Sequence, residues 1–329
     1  MEIPSFTLDT SFLEEVKIPD TGTIYDLIVI GGGPAAMSSA VYAARKMMTF
    51  ALITKDFGGQ VRETSEIENW LGFQSIKADD LVRMFQEHVK SFDIPVNHDT
   101  RVKEIKKDDT MFQVRTDEGQ IYISQTVILA TGKRHRPLNV PGEKDFVGKG
   151  VAYCATCDAP FFKEKKVAVV GGGNSAFTTA LDLLRVGAEV TLINFIKGWQ
   201  GDAALQKKVM NPGTVDFLAY HQVLEILGEE RVSGIIIKDR ETEEVKTLPV
   251  EGIFVEIGLL PNSEIVKGLV DLNDHGEVII DCSCRTSLEG FFGAGDVTTV
   301  PHKQIVIAAG EGAKAALSAY DHLTRTSLI

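Results

Sequence analysis

At 329 residues, 44% of them hydrophobic, the chain is long enough for two globular domains with separate cores. A formal charge of −12, with no long run of Lys and Arg, argues against a protein that tracks nucleic-acid phosphates. Gly, Pro or a charged residue interrupts every apolar run short of the roughly 18 residues a membrane helix needs, so no spanning helix is expected.

In chain order, residues 1–24 mix Glu2, Glu14, Glu15, Lys17 and Asp20 with Phe6, Leu8, Phe12 and Leu13. This is unlike a secretory signal; the segment is read as an N-terminal extension and the cytoplasm as the expected compartment. The apolar run Leu27–Ile30 predicts a buried parallel strand, which leads into Gly31-Gly32-Gly33-Pro34-Ala35-Ala36. Ala35–Met48 has helix-forming composition, and Phe50–Ile53 resumes strand character. Residues 100–124 alternate apolar and polar as an antiparallel meander does, and Thr126–Thr131 is a strand closing on a tight turn at Gly132.

Pro137, Pro141 and Gly142 mark a crossover into a second domain, which opens with Cys154-Ala155-Thr156-Cys157-Asp158. Val167–Val170, the loop Gly171-Gly172-Gly173-Asn174-Ser175-Ala176, a helix over Ser175–Val186 and a strand over Val190–Ile193 then repeat the first plan 140 residues later without a gap. A second strand-plus-glycine run, Gly252–Gly258, mirrors Thr126–Gly132, and Leu260-Pro261-Asn262 marks the return crossover. Val278–Ile280 reads as a strand, Gly293-Ala294-Gly295-Asp296 as a glycine turn, and Ile305–Leu323 as an Ala-rich helix. The internal duplication predicts an α/β protein of two Rossmann-like dinucleotide-binding domains (three-layer ββα), the second inserted into the first.

The chemistry follows from these placements. In each loop, Gly31 and Gly33, or Gly171 and Gly173, let the backbone turn tightly and approach a pyrophosphate. Ala36 and Ala176 keep the helix close to its strand; the plain alternative for either loop is a glycine-rich turn. The carboxylate that ordinarily follows the second strand and binds ribose hydroxyls is missing from both units. Asn194 can form only a neutral hydrogen bond there, and Lys197 is the only cation nearby in sequence. Cys154 and Cys157, at i and i+3, can cycle between dithiol and disulfide, and Asp158 can deliver a proton to a leaving thiolate or serve as a helix-capping or surface carboxylate. Zinc bound by Cys154, Cys157, Cys282 and Cys284 is the alternative, against which the Cys282-Ser283-Cys284 spacing argues. Asp296, on its glycine turn, can bind a ribitol or ribose hydroxyl or can be a structural turn residue.

Over residues 25–325 the chain resembles the low-molecular-weight thioredoxin reductases. The motifs that carry this are the two glycine loops, Gly58-Gly59-Gln60, Glu68-Asn69, Ala130-Thr131-Gly132, the CATCD dithiol, the GAGD turn and Lys303-Gln304-Ile305. Its last third is still more similar to the flavoprotein subunit of alkyl hydroperoxide reductase. The resemblance implies an FAD domain of residues 25–140 plus 266–329 and an NAD(P)H-type domain of residues 141–265 carrying the dithiol. It implies FAD contacts at Gly31, Gly33, Pro34, Ala35, Ala36, Gly59, Gln60, Asn69, Val102, Ala130, Thr131, Gly132, Gly295, Asp296, Lys303, Gln304 and Ile305. A nicotinamide nucleotide would meet Gly171, Gly173, Asn174, Ser175, Ala176 and Asn194. Cys157 would face the flavin, Cys154 would attack the protein substrate and Asp158 would donate the proton. Electrons would run from donor to FAD to dithiol to thioredoxin or a glutaredoxin-like protein, in a homodimer. The His-Arg-Arg…Arg pattern of NADPH-using members is replaced by Asn194, Phe195, Ile196 and Gln200. NADH-using relatives carry Glu at the position of Asn194. The expected donor is therefore NADPH or NADH with relaxed specificity, or a non-nicotinamide donor such as ferredoxin. A dithiol oxidase passing electrons to oxygen is the alternative activity.

Overall fold

The computed structural model describes residues 17–63, 66–67, 69–153, 155–210 and 215–326. They form two compact units: one contains the described residues to Arg62, Glu66–Arg134 and those from Pro261 onward, the other His135–Leu260.

In the first unit the strand Ile24–Ile30 lies between two parallel neighbours, with Ile28 opposite Ala51 on one side and Val127 on the other. The nine-residue strand Ile121–Leu129 has two partners on its far edge. Its first half pairs antiparallel with Met111–Thr116, which pairs in turn with Val102–Asp108; its last residues pair parallel with Phe291–Gly293. The meander expected over residues 100–124 is thus present, and the strand expected over Thr126–Thr131 is the second half of its last strand, which ends at Leu129. Leu27 and Val29 pack into one core, Ile28 and Ile30 into another. Burial on both faces is the reason this strand reads as an unbroken apolar run rather than an alternating one. The helices Pro34–Arg45 and Ile305–Thr326 cover the first face with alanines, among them Ala36, Ala40, Ala315 and Ala319.

The second unit repeats the plan. Lys166–Val170 lies between Glu189–Asn194 and Gly252–Val255, all parallel, with Val151–Ala152 and Val215–Ala219 at the edges. Val167 and Val169 face one core, Ala168 and Val170 the other. A three-stranded antiparallel sheet of His221–Gly228, Val232–Asp239 and Val245–Leu248 is added to it.

Two expected elements end elsewhere. The first helix stops at Arg45 rather than Met48, because Met47 adopts φ 55° and turns the chain so that Met48 N–H returns to the Ala43 carbonyl. Val278–Ile280 is not a strand: Val278 makes isolated bridges to Leu272 and Thr298, just after a tight turn at Asn273–Glu277.

Candidate active site

The first loop is shaped by three glycines with three different jobs. Gly31 has φ 127°, its N–H bonds the Ile53 carbonyl, and a Cβ there would stand 2.2 Å from the Ala130 carbonyl oxygen. Gly32 lies against the next segment, where a Cβ would meet the Asp56 carbonyl at 1.9 Å, and its own carbonyl is held by Gly58 N–H. Gly33 faces open space, with nothing among the described residues within 4 Å of its Cβ position. It is also the N-cap of Pro34–Arg45, without a side-chain cap. An uncapped helix N-terminus behind an open glycine is a binding site for an anion such as phosphate.

Several of the expected contacts of the first unit lie beside this loop. A Cβ on Gly59 would point at Gly33 Cα, 3.7 Å away, and Gly295 packs against the Ala35 side chain. Ala130 N–H bonds the Ile30 carbonyl, while the Thr131 hydroxyl and carbonyl are bonded reciprocally by Asn262 at 2.7 and 2.8 Å. Gly132 has φ 65° and its carbonyl accepts from Asn262 N–H. Asn69 Nδ2 donates to Gln304 Oε1 at 3.0 Å, joining two motifs far apart in sequence. Gln60 lies in the 3₁₀ turn Gly59–Glu63, and Ile305 opens the last helix and packs against the apolar cluster that contains Val61 and Leu81. Val102 is the half-buried first residue of the outermost meander strand. Asp296 is partly buried, which pushes its carboxyl up, and among the described residues no hydrogen bond reaches it. A desolvated carboxylate without a donor suits a ligand hydroxyl. Lys303 turns inward to Glu277 and the Thr298 carbonyl.

Sequence reasoning missed Gly312 and Ser39. A Cβ on Gly312 would lie 2.0 Å from the Ala35 carbonyl, and Ser39 Oγ donates to both the Ala35 and Gly312 carbonyls at 2.9 Å. Together they let the last helix press on the loop helix. The available signal was the pair of glycines, Gly310 and Gly312, inside an otherwise Ala-rich helix.

The second loop is built in the same way. Gly171 has φ 152° with its Cβ position 2.2 Å from the Glu256 carbonyl, and its N–H bonds the Ile193 carbonyl. Gln200 and Gly201 N–H hold the Gly172 carbonyl, and Gly173 is open like Gly33. Ala176 is fully buried, and Ser175 and Thr179 bond the Glu256 carboxyl, which burial pushes up. Asn174 is paired reciprocally with Asp202. The far end of this site differs from expectation in two respects. Asn194 is buried, and its amide donates to the Gly198 carbonyl (2.6 Å) and Gln200 Oε1 (3.1 Å), so its nitrogen shapes the loop. Lys197 is not the only cation: Arg240 lies 3.8 Å from the Phe195 ring centroid and donates to the Phe195 carbonyl at 2.7 Å, while Lys197 pairs with Glu241. Arg240 comes from the end of a strand 45 residues further on, which local reading of the sequence does not bring near.

Cys154 lies outside the described residues; Cys157 and Asp158 belong to the one-turn helix Ala155–Asp158. Asp158 is half-buried, which pushes its carboxyl up toward the protonated form a proton donor needs. The residue before the dithiol is firmly held. Tyr153 donates to the buried Glu143 at 2.8 Å, and Glu143 also accepts from Leu138 and Asn139 N–H at 2.8 and 2.7 Å. Cys282 is exposed; Cys284 is buried with φ 63° and its thiol donates to Glu311 Oε2 at 3.1 Å. Burial first, then Glu311, pushes that thiol up, which makes it a packed donor and a poor nucleophile.

Two glycine-loop strand–helix units, one inserted into the other, define an oxidoreductase-type protein with two dinucleotide-binding domains. Comparison with known proteins agrees. The family model described as pyridine nucleotide-disulphide oxidoreductase matches residues 25–312. An alkyl hydroperoxide reductase subunit of Pseudomonas aeruginosa is 46% identical over 307 residues, which cover 92% of this chain and 59% of that protein. A Bacillus subtilis protein named NADH dehydrogenase is 44% identical over 301 residues, with the same two coverages. The chain thus spans about three fifths of the length of these curated relatives. Among solved structures, Lactococcus lactis thioredoxin reductase superposes with a TM-score of 0.78 at 32% identity, covering 92% of this chain and 99% of that one. Thioredoxin reductase of T. acidophilum gives 0.76 at 35% identity, covering 91% and 99%.

The chain belongs to the pyridine nucleotide-disulphide oxidoreductase family, an FAD-binding family, and shares the fold of the thioredoxin reductases it superposes on. The first unit suits that cofactor. Its open glycine and uncapped helix match a pyrophosphate, and the Asp296 carboxylate matches a polyol hydroxyl. No helix among the described residues is long and apolar enough to cross a membrane.

Proposed function

We propose that the chain is a disulfide reductase acting on thioredoxin or a thioredoxin- or glutaredoxin-like protein through Cys154 and Cys157. FAD is assigned to the first unit and a nicotinamide donor of relaxed specificity to the second. The observation that carries the reading is the steric similarity of the two loops. Gly171–Gly173 keeps the left-handed turn, the buttressed middle glycine and the open third glycine of Gly31–Gly33. A relic loop has no physical reason to keep its open glycine clear of side chains. The Phe195–Arg240 stack and the neutral Asn194 supply no ribose carboxylate, which supports acceptance of both NADH and NADPH.

Bound FAD supplies a two-electron relay between the donor and the Cys154–Cys157 disulfide. In the acceptor half, the Cys154 thiolate attacks the substrate disulfide, forming a mixed disulfide and releasing one substrate thiolate. Attack by Cys157 then closes the Cys154–Cys157 disulfide and releases the second substrate thiol, so two electrons and two protons leave the enzyme. Asp158, whose carboxyl burial pushes up, lies on the dithiol helix and is assigned as the group that gives a proton to a leaving thiolate. The reading assigns the enzyme to the cytoplasm, where a reduced dithiol persists.

The test is anaerobic reduction of the bound flavin by NADPH, NADH and reduced ferredoxin in turn, followed by turnover with oxidised thioredoxin. Bleaching by both nicotinamides and loss of turnover in Cys154→Ser are expected. Bleaching by ferredoxin alone would remove the nicotinamide donor from the reading. Undiminished turnover in Cys154→Ser would remove the dithiol, and peroxide production from a small dithiol would favour an oxidase.

A further inference from the structure

Glu277 belongs to none of the motifs, yet it ties two of them together. Its Oε1 accepts from Lys133 at 2.7 Å, one residue after Ala130-Thr131-Gly132, and from Lys303 at 3.2 Å, which begins Lys303-Gln304-Ile305. Its Oε2 accepts from Asn273 Nδ2 at 2.8 Å, and Asn273 Oδ1 accepts from Glu277 N–H, so the carboxylate is fixed by its own turn. All three charged side chains are largely buried, at 11% exposure for Lys133, 16% for Glu277 and 21% for Lys303.

Four charges of balanced sign meet here. Lys133, Glu277 and Asp296 are among the charged groups that act on Lys303. Lys133 and Lys303 both act on Asp296. Two ammonium groups that share one oxygen repel each other strongly once that oxygen loses its charge. Asp296 would then be the remaining carboxylate facing them. In the present arrangement Lys303 is directed to Glu277 and to the Thr298 carbonyl, and among the described residues no hydrogen bond occupies Asp296.

We propose that Glu277 is a positioning residue of the flavin site: by holding Lys133 and Lys303 it keeps the Asp296 carboxylate free to accept a hydroxyl from the polyol of the bound flavin dinucleotide. The proposal rests on the assignment of Asp296 as a flavin contact. Without Glu277 the lysines turn to Asp296, and the ligand must compete with a buried ion pair for that carboxylate. Glu277 acts through Lys303 and Asp296 and does not itself touch the ligand.

The experiment measures the Kd of FAD from flavin release on dilution of the holoenzyme, for wild type, Glu277→Gln, Glu277→Asp, Asp296→Asn and the Glu277→Gln/Asp296→Asn double variant. Loss of one charge-assisted contact corresponds to roughly a tenfold rise in Kd. Glu277→Gln and Asp296→Asn are each expected to raise Kd about that much. The double variant should be no weaker than Asp296→Asn alone, because freed lysines have nothing left to capture. Glu277→Asp, which keeps the charge, should recover most of the affinity. Additive losses in the double variant would overturn the proposal, since a purely structural Glu277 adds its cost in either background. A Glu277→Gln protein with normal Kd beside a weakened Asp296→Asn would also overturn it, while leaving the flavin reading intact. If Asp296→Asn itself binds FAD normally, the assignment of Asp296 falls, and the proposal with it. Melting temperatures of all variants separate these outcomes from loss of fold.

Discussion

The two loop glycines that a sequence motif treats as equivalent should fail in different ways when each is replaced by alanine. At Gly31 a Cβ would sit 2.2 Å from the Ala130 carbonyl oxygen on a backbone with φ 127°. Backbone strain of about 1–3 kcal/mol adds to overpacking of about 1–3 kcal/mol, so Gly31→Ala should cost roughly 2–6 kcal/mol of stability. At Gly33 the backbone has φ −79° and ψ −178°, which alanine adopts freely, and the Cβ would meet nothing within 4 Å. The cost to the fold is the poorer N-cap, about 0.5 kcal/mol. That same methyl group, however, would stand where a pyrophosphate approaches the helix N-terminus, and an overpacked contact of about 1–3 kcal/mol there lowers affinity roughly tenfold to a hundredfold. Urea unfolding of flavin-free protein, followed by far-ultraviolet circular dichroism, measures the first effect. Titration with FAD, followed by quenching of flavin fluorescence, measures the second. Gly31→Ala should unfold early; Gly33→Ala should unfold with the wild type and bind FAD weakly. Normal FAD affinity in a folded Gly33→Ala would refute the placement of the pyrophosphate, and equal destabilisation by both changes would refute the steric argument.

Three further outcomes are expected. Tyr153→Phe removes a hydrogen bond to the buried Glu143 carboxylate and should cost about 2 kcal/mol in urea unfolding; the alkylation rate of Cys154 should change with it, and an unchanged rate would show that this hydrogen bond does not influence the dithiol. Burial alone would raise the Glu277 carboxyl, but the hydrogen bonds from Lys133, Asn273 and Lys303 outweigh it and hold it at about 2, below its ordinary 4.5. A depressed folded value stabilises above the unfolded one and loses that contribution as pH falls from about 4.5 to 2. Lys303 returns part of the gain, because its own burial and Lys133 push it down. The stability difference between wild type and Glu277→Gln should therefore be on the order of 2 kcal/mol at pH 6 and should shrink through that acid window; a pH-independent difference in denaturant midpoint would contradict the ion pair. Asp158→Asn should slow disulfide reduction about a hundredfold and flatten the alkaline limb of its pH profile, since burial alone raises this carboxyl and the donor is lost as pH climbs through its value; an unaltered limb would assign the proton to another group.

The amino-acid sequence by itself determined the repeated strand–loop–helix plan and the identity of the loop glycines. These are local properties: a strand buried on both faces must be apolar throughout, as Leu27–Ile30 and Val167–Val170 are, and a turn at positive φ into a close backbone contact requires glycine. It also placed a carboxylate at Asp296 and a dithiol at Cys154 and Cys157, because those depend only on residue type and spacing. Only the tertiary structure decided which loop glycine is buttressed and which is open, since the obstructing atoms belong to Ala130, Asp56, Glu256 and Asn194, each distant along the chain or beyond a turn. It alone brought Arg240 to Phe195, Asn69 to Gln304, Gly312 to Ala35 and Glu277 to two lysines. A residue such as Glu277 carries no signal in its own neighbourhood, because its role is set by which distant charges share its burial, and desolvated charges act over the few ångströms that folding, not sequence, determines.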